Sequence, residues 1–68
     1  MRIFRFGDLV VDFENVSCAT VEPYREWWER IIYMRDGLRF TANFDKKEDA
    51  EQSLEAFMSA WRKYVEAE

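Results

Sequence analysis

One dipeptide constrains this chain more than any other. Asp36-Gly37 stands between two runs, 27–35 and 38–44, that are rich in aromatic and β-branched residues. Asp-Gly between such runs is the strongest short-range signal for a β-hairpin. A two-residue turn there pairs Arg35 with Leu38, Tyr33 with Phe40, Ile31 with Ala42 and Glu29 with Phe44. Side chains alternate across a strand, so this register assigns every residue to a face. One face gathers Trp27, Ile31, Tyr33, Leu38, Phe40, Ala42 and Phe44, and is the expected core face. The other gathers Trp28, Arg30, Ile32 and Met34 with Arg39, Thr41 and Asn43. The adjacent tryptophans are thereby separated: Trp27 is expected under a covering element and Trp28 on the opposite side.

The rest of the chain reads as punctuation around short strands. Gly7-Asp8 suits a two-residue turn joining strands 2–6 and 9–13, with Gly at the position that needs it. That turn pairs Phe6 with Leu9, Phe4 with Val11 and Arg2 with Phe13. A core face of Phe4, Phe6, Leu9, Val11 and Phe13 results, opposite Ile3, Arg5, Val10 and Asp12. Glu14-Asn15 is a short turn, followed by a third strand, 16–22, of small and β-branched residues whose alternation is too weak to choose a face. Pro23 is expected to end that strand, since proline cannot continue a hydrogen-bonded ladder.

A helix is expected over 46–66. Asp45 is a good N-cap, and Glu48 completes a capping-box variant. Ala50, Leu54, Phe57, Trp61 and Tyr64 recur at spacings of four and three, an amphipathic stripe extended by Met58 and Val65. Glu48, Asp49 and Glu51 at the start and Arg62 and Lys63 near the end complement the helix dipole. The expected fold class is α+β: one domain, 1–68, with an antiparallel five-stranded sheet built as a hairpin meander and a C-terminal helix packed on one face. Such a helix runs about 30 Å, against about 23 Å for a seven-residue strand. Either the sheet width and crossing angle absorb the difference, or the last turns, with Trp61, Tyr64 and Val65, overhang and need another surface.

Composition bounds the function. The chain has 68 residues, with three Trp, three Tyr and six Phe. A domain this short buries a small fraction of its surface, and large rings offset that deficit. The net charge of −4 argues against direct nucleic-acid binding, which needs a basic surface. A sheet platform of stacked aromatics for RNA fails on the same ground. With no His and one Cys, a transition-metal site is not expected, and Cys18 lacks the histidine that a catalytic thiol would want. The expectation is a protein without enzymatic activity, metal or cofactor. Cys18 is expected as a small buried residue, compatible with a reducing cytoplasm. No segment reads as a signal peptide or a membrane span.

What remains is a surface. Trp28, Ile32 and Met34, interleaved with Arg30 and Arg39, form the candidate partner-binding patch, because Trp, Met and Arg are enriched in interfaces. The acidic helix face of Glu48, Asp49, Glu51 and Glu55 is the candidate contact for a basic partner surface. The partner is another protein or a second copy of the chain. Self-association through the apolar sheet face, as a homo-oligomeric structural or accessory protein, is the alternative to a foreign partner.

The hairpin pair, the Asp36-Gly37 turn, the terminal helix opened by FDKKEDAE, the acidic pI of about 4.8 and the single Cys together resemble very small proteins encoded by bacteriophages and mobile elements. Anti-CRISPR and other anti-defence inhibitors belong to that group. The resemblance implies a non-catalytic protein-binding module, an inhibitor acting by stoichiometric binding to a nucleoprotein complex in the cytoplasm of a bacterial host cell. It spans the whole chain as a style and carries over no individual residue.

Overall fold

A computed structural model describes residues 2–6 and 9–67, with only the backbone of Phe6 and Leu9. The expected Gly7-Asp8 turn and the side-chain placement of Phe6 and Leu9 lie outside the described residues. In chain order the elements are β1 (Ile3–Phe6), β2 (Leu9–Asp12), a 3₁₀ turn (Phe13–Asn15), β3 (Val16–Tyr24), β4 (Trp27–Met34), β5 (Arg39–Phe44) and α1 (Lys47–Ala67). The fold is α+β with antiparallel strands and one C-terminal helix. The strands do not form one sheet, however: β1-β2 is a separate two-stranded sheet beside a three-stranded sheet, β3-β4-β5.

The division originates at Asp12. Its carboxylate accepts from the Glu14 amide at 3.0 Å and so caps the 3₁₀ turn, which redirects the chain before β3 begins. Asp12 also accepts two hydrogen bonds from the Arg2 guanidinium, at 2.8 and 2.9 Å. The hydrogen bonds from Arg2 hold the Asp12 carboxyl below its ordinary value, and the same bonds raise Arg2. Asn15 then anchors the end of the turn to the larger sheet, its carbonyl accepting from the Arg35 amide at 2.7 Å.

Within β1-β2 the expected register holds: Phe6 pairs with Leu9 and Phe4 with Val11. Val11 and Phe13 are buried, and Phe4 packs against the same cluster. This small sheet meets the C-terminal half of α1. Phe13 stacks on Tyr64 with ring centroids 5.5 Å apart, and Phe4 meets the edge of Phe57 at 5.7 Å. The first hairpin thus covers Tyr64 beyond the three-stranded sheet, while Val65 stays exposed.

The helix follows its expected stripe. Ala50 and Phe57 are buried, and Trp61 and Tyr64 pack on the core. It begins at Lys47, one residue later than expected, and the Lys46 carbonyl accepts from Ala50. Asp45 makes no capping hydrogen bond among the described residues.

Two hairpins build the three-stranded sheet. β3 runs through Pro23 to Tyr24, and Pro23 lies opposite Trp28. The strand continues because β3 is an edge, where a missing N–H faces outward and costs no ladder bond. Arg25-Glu26 then forms a two-residue turn in which Arg25 adopts a left-handed φ of 55°, the twist that such tight hairpins favour. The second hairpin differs from expectation by one residue. Its loop is Arg35-Asp36-Gly37, closed by hydrogen bonds from the Met34 amide to the Leu38 carbonyl (2.8 Å) and from the Gly37 amide to the Met34 carbonyl (3.1 Å). Gly37 has φ 94°, as in a three-residue loop built on a type I turn and a glycine bulge. Trp28 therefore faces Phe44, Arg30 faces Ala42 and Ile32 faces Phe40.

A one-residue slip turns every side chain of one strand to the other face of its partner. Here it unites Trp28, Arg30, Ile32 and Met34 with Phe40, Ala42 and Phe44 under the helix. Ile32 is fully buried, and Met34 and Arg30 nearly so. Trp27, Glu29, Ile31 and Tyr33 go to the opposite face.

Candidate functional site: the open face of the sheet

The α1 helix and the β1-β2 hairpin both pack on the face that carries Ile32 and Met34. The other face of the three-stranded sheet is built from alternate residues of each strand. The register aligns Cys18 with Tyr33 and Arg39, Thr20 with Ile31 and Thr41, Glu22 with Glu29 and Asn43, and Tyr24 with Trp27. Along β3 the alternation changes phase. Val16 faces the core and pairs with Met34, a bulge at Ser17 adds one residue, and Cys18 then pairs with Tyr33 on the open side. That phase change is why no single face could be read from the strand. It also corrects the expected burial of Cys18, which is exposed.

No helix or second sheet lies over this face among the described residues, yet it is not polar. Ile31 is only 5% exposed, shielded by side chains of its own sheet. Tyr24 and Trp27 form a ring pair at 5.5 Å, and the Arg25 guanidinium lies 5.5 Å from the Tyr24 ring. Glu22, Tyr24, Trp27, Glu29, Ile31 and Asn43 are among the residues lining a groove of about 480 Å³. The Trp27 Nε1 is buried and has no hydrogen-bond partner among the described residues. A buried indole N–H normally finds one. Glu22 and Glu29 stand directly opposite each other, an arrangement of like charges that disfavours the isolated sheet and that a cation between them would relieve.

The expected site residues are divided by this geometry. Arg39 is exposed on the open face. Trp28, Arg30, Ile32 and Met34 are not a surface patch: the three-residue loop places them beneath α1. The Lys47 ammonium lies 5.3 Å from the Trp28 ring. Arg30 reaches the helix itself, its Nη1 donating to Ser53 Oγ at 2.6 Å, and burial pushes its pKa down. Glu48, Asp49, Glu51 and Glu55 are exposed on α1, on the side of the molecule away from the groove. The expected patch and acidic stripe are therefore not one site.

The residues that replace the expected patch are Tyr24, Trp27, Ile31 and Tyr33. The residue pattern of β4 alone could not select them, because its even and odd positions each hold three large apolar side chains and one charge. Among the described residues no group of three or more His, Cys, Asp or Glu is placed to hold a metal ion, and no helix is long and apolar enough to cross a membrane. No family model matches the chain, and no curated protein or solved structure is similar to it.

Proposed function

We propose that this protein is a small non-catalytic binding module that docks on a protein partner through the open face of its three-stranded sheet. The observation that supports this most is the aromatic face itself. A chain with little core to spare leaves Tyr24, Trp27, Ile31 and Tyr33 on a face that no element covers among the described residues, and Trp, Tyr and Arg are the side chains that dominate interface hot spots. Glu22 and Glu29 within the groove favour a partner that inserts a basic side chain. The net charge of −4 would steer such a surface toward the protein. The resemblance to small phage and mobile-element proteins extends the reading to an anti-defence inhibitor. Its partner would be a host effector complex in the bacterial cytoplasm, bound stoichiometrically at a basic surface that otherwise holds nucleic acid. The acidic stripe of α1 then lies on the far side, free to repel nucleic acid from the occupied complex.

The test is affinity capture from a bacterial lysate with the wild-type protein, Trp27→Ala and Glu29→Lys, each checked for folding by circular dichroism. A partner held by the wild type, lost with Trp27→Ala and weakened by Glu29→Lys supports the reading. An identical set of captured proteins for all three folded variants refutes it.

A further inference from the structure

The three-stranded sheet has two edges, and they are built differently. The outer edge of β3 is interrupted by the bulge at Ser17 and carries Pro23, two devices that block pairing with another strand. The outer edge of β5 has neither: Arg39–Phe44 pairs with β4 without irregularity. No strand pairs with its other side among the described residues. Hydrogen bonding in an antiparallel ladder alternates from pair to pair. Counting from the Met34–Leu38 bond, Phe40, Ala42 and Phe44 direct their peptide groups to β4. Arg39, Thr41 and Asn43 direct theirs outward, and all three are exposed. The chain thus presents an unprotected pairing edge, the kind that proteins usually blunt unless it is used.

We propose that β5 pairs edge to edge with β5 of a second copy of this chain, antiparallel about a two-fold axis at Ala42, forming a continuous six-stranded sheet. Charge selects both the occupant and the register. With the axis at Ala42, Arg39 of each copy lies opposite Asp45, the residue that directly follows β5, of the other, giving two opposite-charge pairs, one at each end. Phe40 lies opposite Phe44 and extends the apolar face beneath the helices. Thr41 lies opposite Asn43 and exchanges the outward peptide bonds. Moving the axis to Thr41 sets Arg39 against Asn43, and moving it to Asn43 sets Thr41 against Asp45. Neither pairs opposite charges. The contact is isologous, as two-fold dimers require. Both helices lie on one side of the joined sheet and both grooves on the other. The inference is argued from the backbone edge of β5 and not from the proposed partner, although the side chains of Arg39, Thr41 and Asn43 also line the groove.

Sedimentation equilibrium of the purified protein across a wide concentration range tests it. The expected mass rises with concentration from 8.3 kDa to twice that value. Thr41→Pro removes an N–H that only the edge contact uses, and should give a folded monomer at every concentration. Arg39→Asp should raise the dissociation constant roughly tenfold, since it breaks two exposed ion pairs, and adding Asp45→Arg should restore it. A wild type that stays monomeric at the highest concentration, or a dimer that survives Thr41→Pro, overturns the proposal. Failure of the charge exchange to restore affinity overturns the register. If Thr41→Pro does not fold, amide exchange on the wild type decides: slowing of the Thr41 and Asn43 amides with concentration supports the contact, and concentration-independent exchange refutes it.

Discussion

Phe57 is where the two sheets and the helix meet, and its truncation gives the most demanding test of the fold. The side chain is fully buried. Its ring lies 5.7 Å from Phe4, 5.6 Å from Phe13 and 6.0 Å from Trp61, so it joins the β1-β2 hairpin to the helix. Phe→Ala in a core costs about 3–5 kcal/mol. That range already includes lost ring contacts such as these three, which put Phe57→Ala in its upper part, at about 4–5 kcal/mol. A domain of this length has a total stability of about 3–10 kcal/mol. Phe57→Ala should therefore remove half of the stability or all of it. In a urea titration followed by tryptophan fluorescence, a slope of about 1 kcal/mol per molar converts that loss into a midpoint about 4 M lower. Phe57→Leu, which keeps most of the apolar volume, should lower it by only about 1–2 M. A Phe57→Ala protein whose midpoint falls within about 0.5 M of the wild type would show that the hairpin does not dock on α1 as described.

Three further tests address separate links. Met34→Glu places a carboxylate beneath the helix and should unfold the protein at a cost of several kcal/mol, while Tyr33→Glu on the open face should change stability by about 1 kcal/mol or less; the reverse order by chemical denaturation would restore the two-residue turn. Ser53→Ala removes the Oγ that accepts from Arg30 Nη1 and should cost about 1.5–3 kcal/mol, whereas Ser59→Ala on the exposed side of α1 should be near neutral; equal effects in thermal melts would remove the buried hydrogen bond. Asp12 should titrate by NMR below the usual aspartate range and return to it in Arg2→Ala. Its folded pKa lies below the unfolded value of about 3.9. Its contribution is thus fully present above that pH and lost as pH falls through the folded pKa, and an Asp12 titration unchanged by Arg2→Ala refutes the pairing.

Element types were legible because each rests on a local rule. The α1 stripe follows from period 3.6, and the first hairpin from apolar residues that alternate in phase on both strands. The wrong face of β4 follows from an ambiguity that no local rule resolves. In β5, Phe40, Ala42 and Phe44 are plainly apolar against Arg39, Thr41 and Asn43, so its core face is unambiguous. In β4, Trp27, Ile31 and Tyr33 with Glu29 weigh the same as Trp28, Ile32 and Met34 with Arg30. Only the parity of the loop decides which set joins Phe40, and Asp36-Gly37 is compatible with either parity. Gly37 has a positive φ in the three-residue loop, and the two-residue turn would require one as well. Two contacts outside the hairpin favour the longer loop: the Arg35 amide bonds to the Asn15 carbonyl, and Asp36 Oδ2 accepts from Asn15 Nδ2 at 3.3 Å. A residue twenty positions away thus takes part in setting the face of β4, beyond the reach of a local reading.

The balance of β4 also bears on what its open side is for. A strand that faces solvent on one side normally alternates apolar with polar residues, as β5 does. β4 is apolar on both sides, the pattern of a strand covered twice, yet the described residues hold one long helix and it packs on the Ile32 face. Its first hairpin cannot serve as the second cover, because Phe4, Val11 and Phe13 are committed to Phe57 and Tyr64 on the helix side. The solvent exposure of β5 and the double-sided apolar character of β4 are reconciled if the cover over Ile31 and Trp27 comes from another molecule. That molecule would find a hydrogen-bond donor, the Trp27 indole N–H, already buried and without a partner among the described residues.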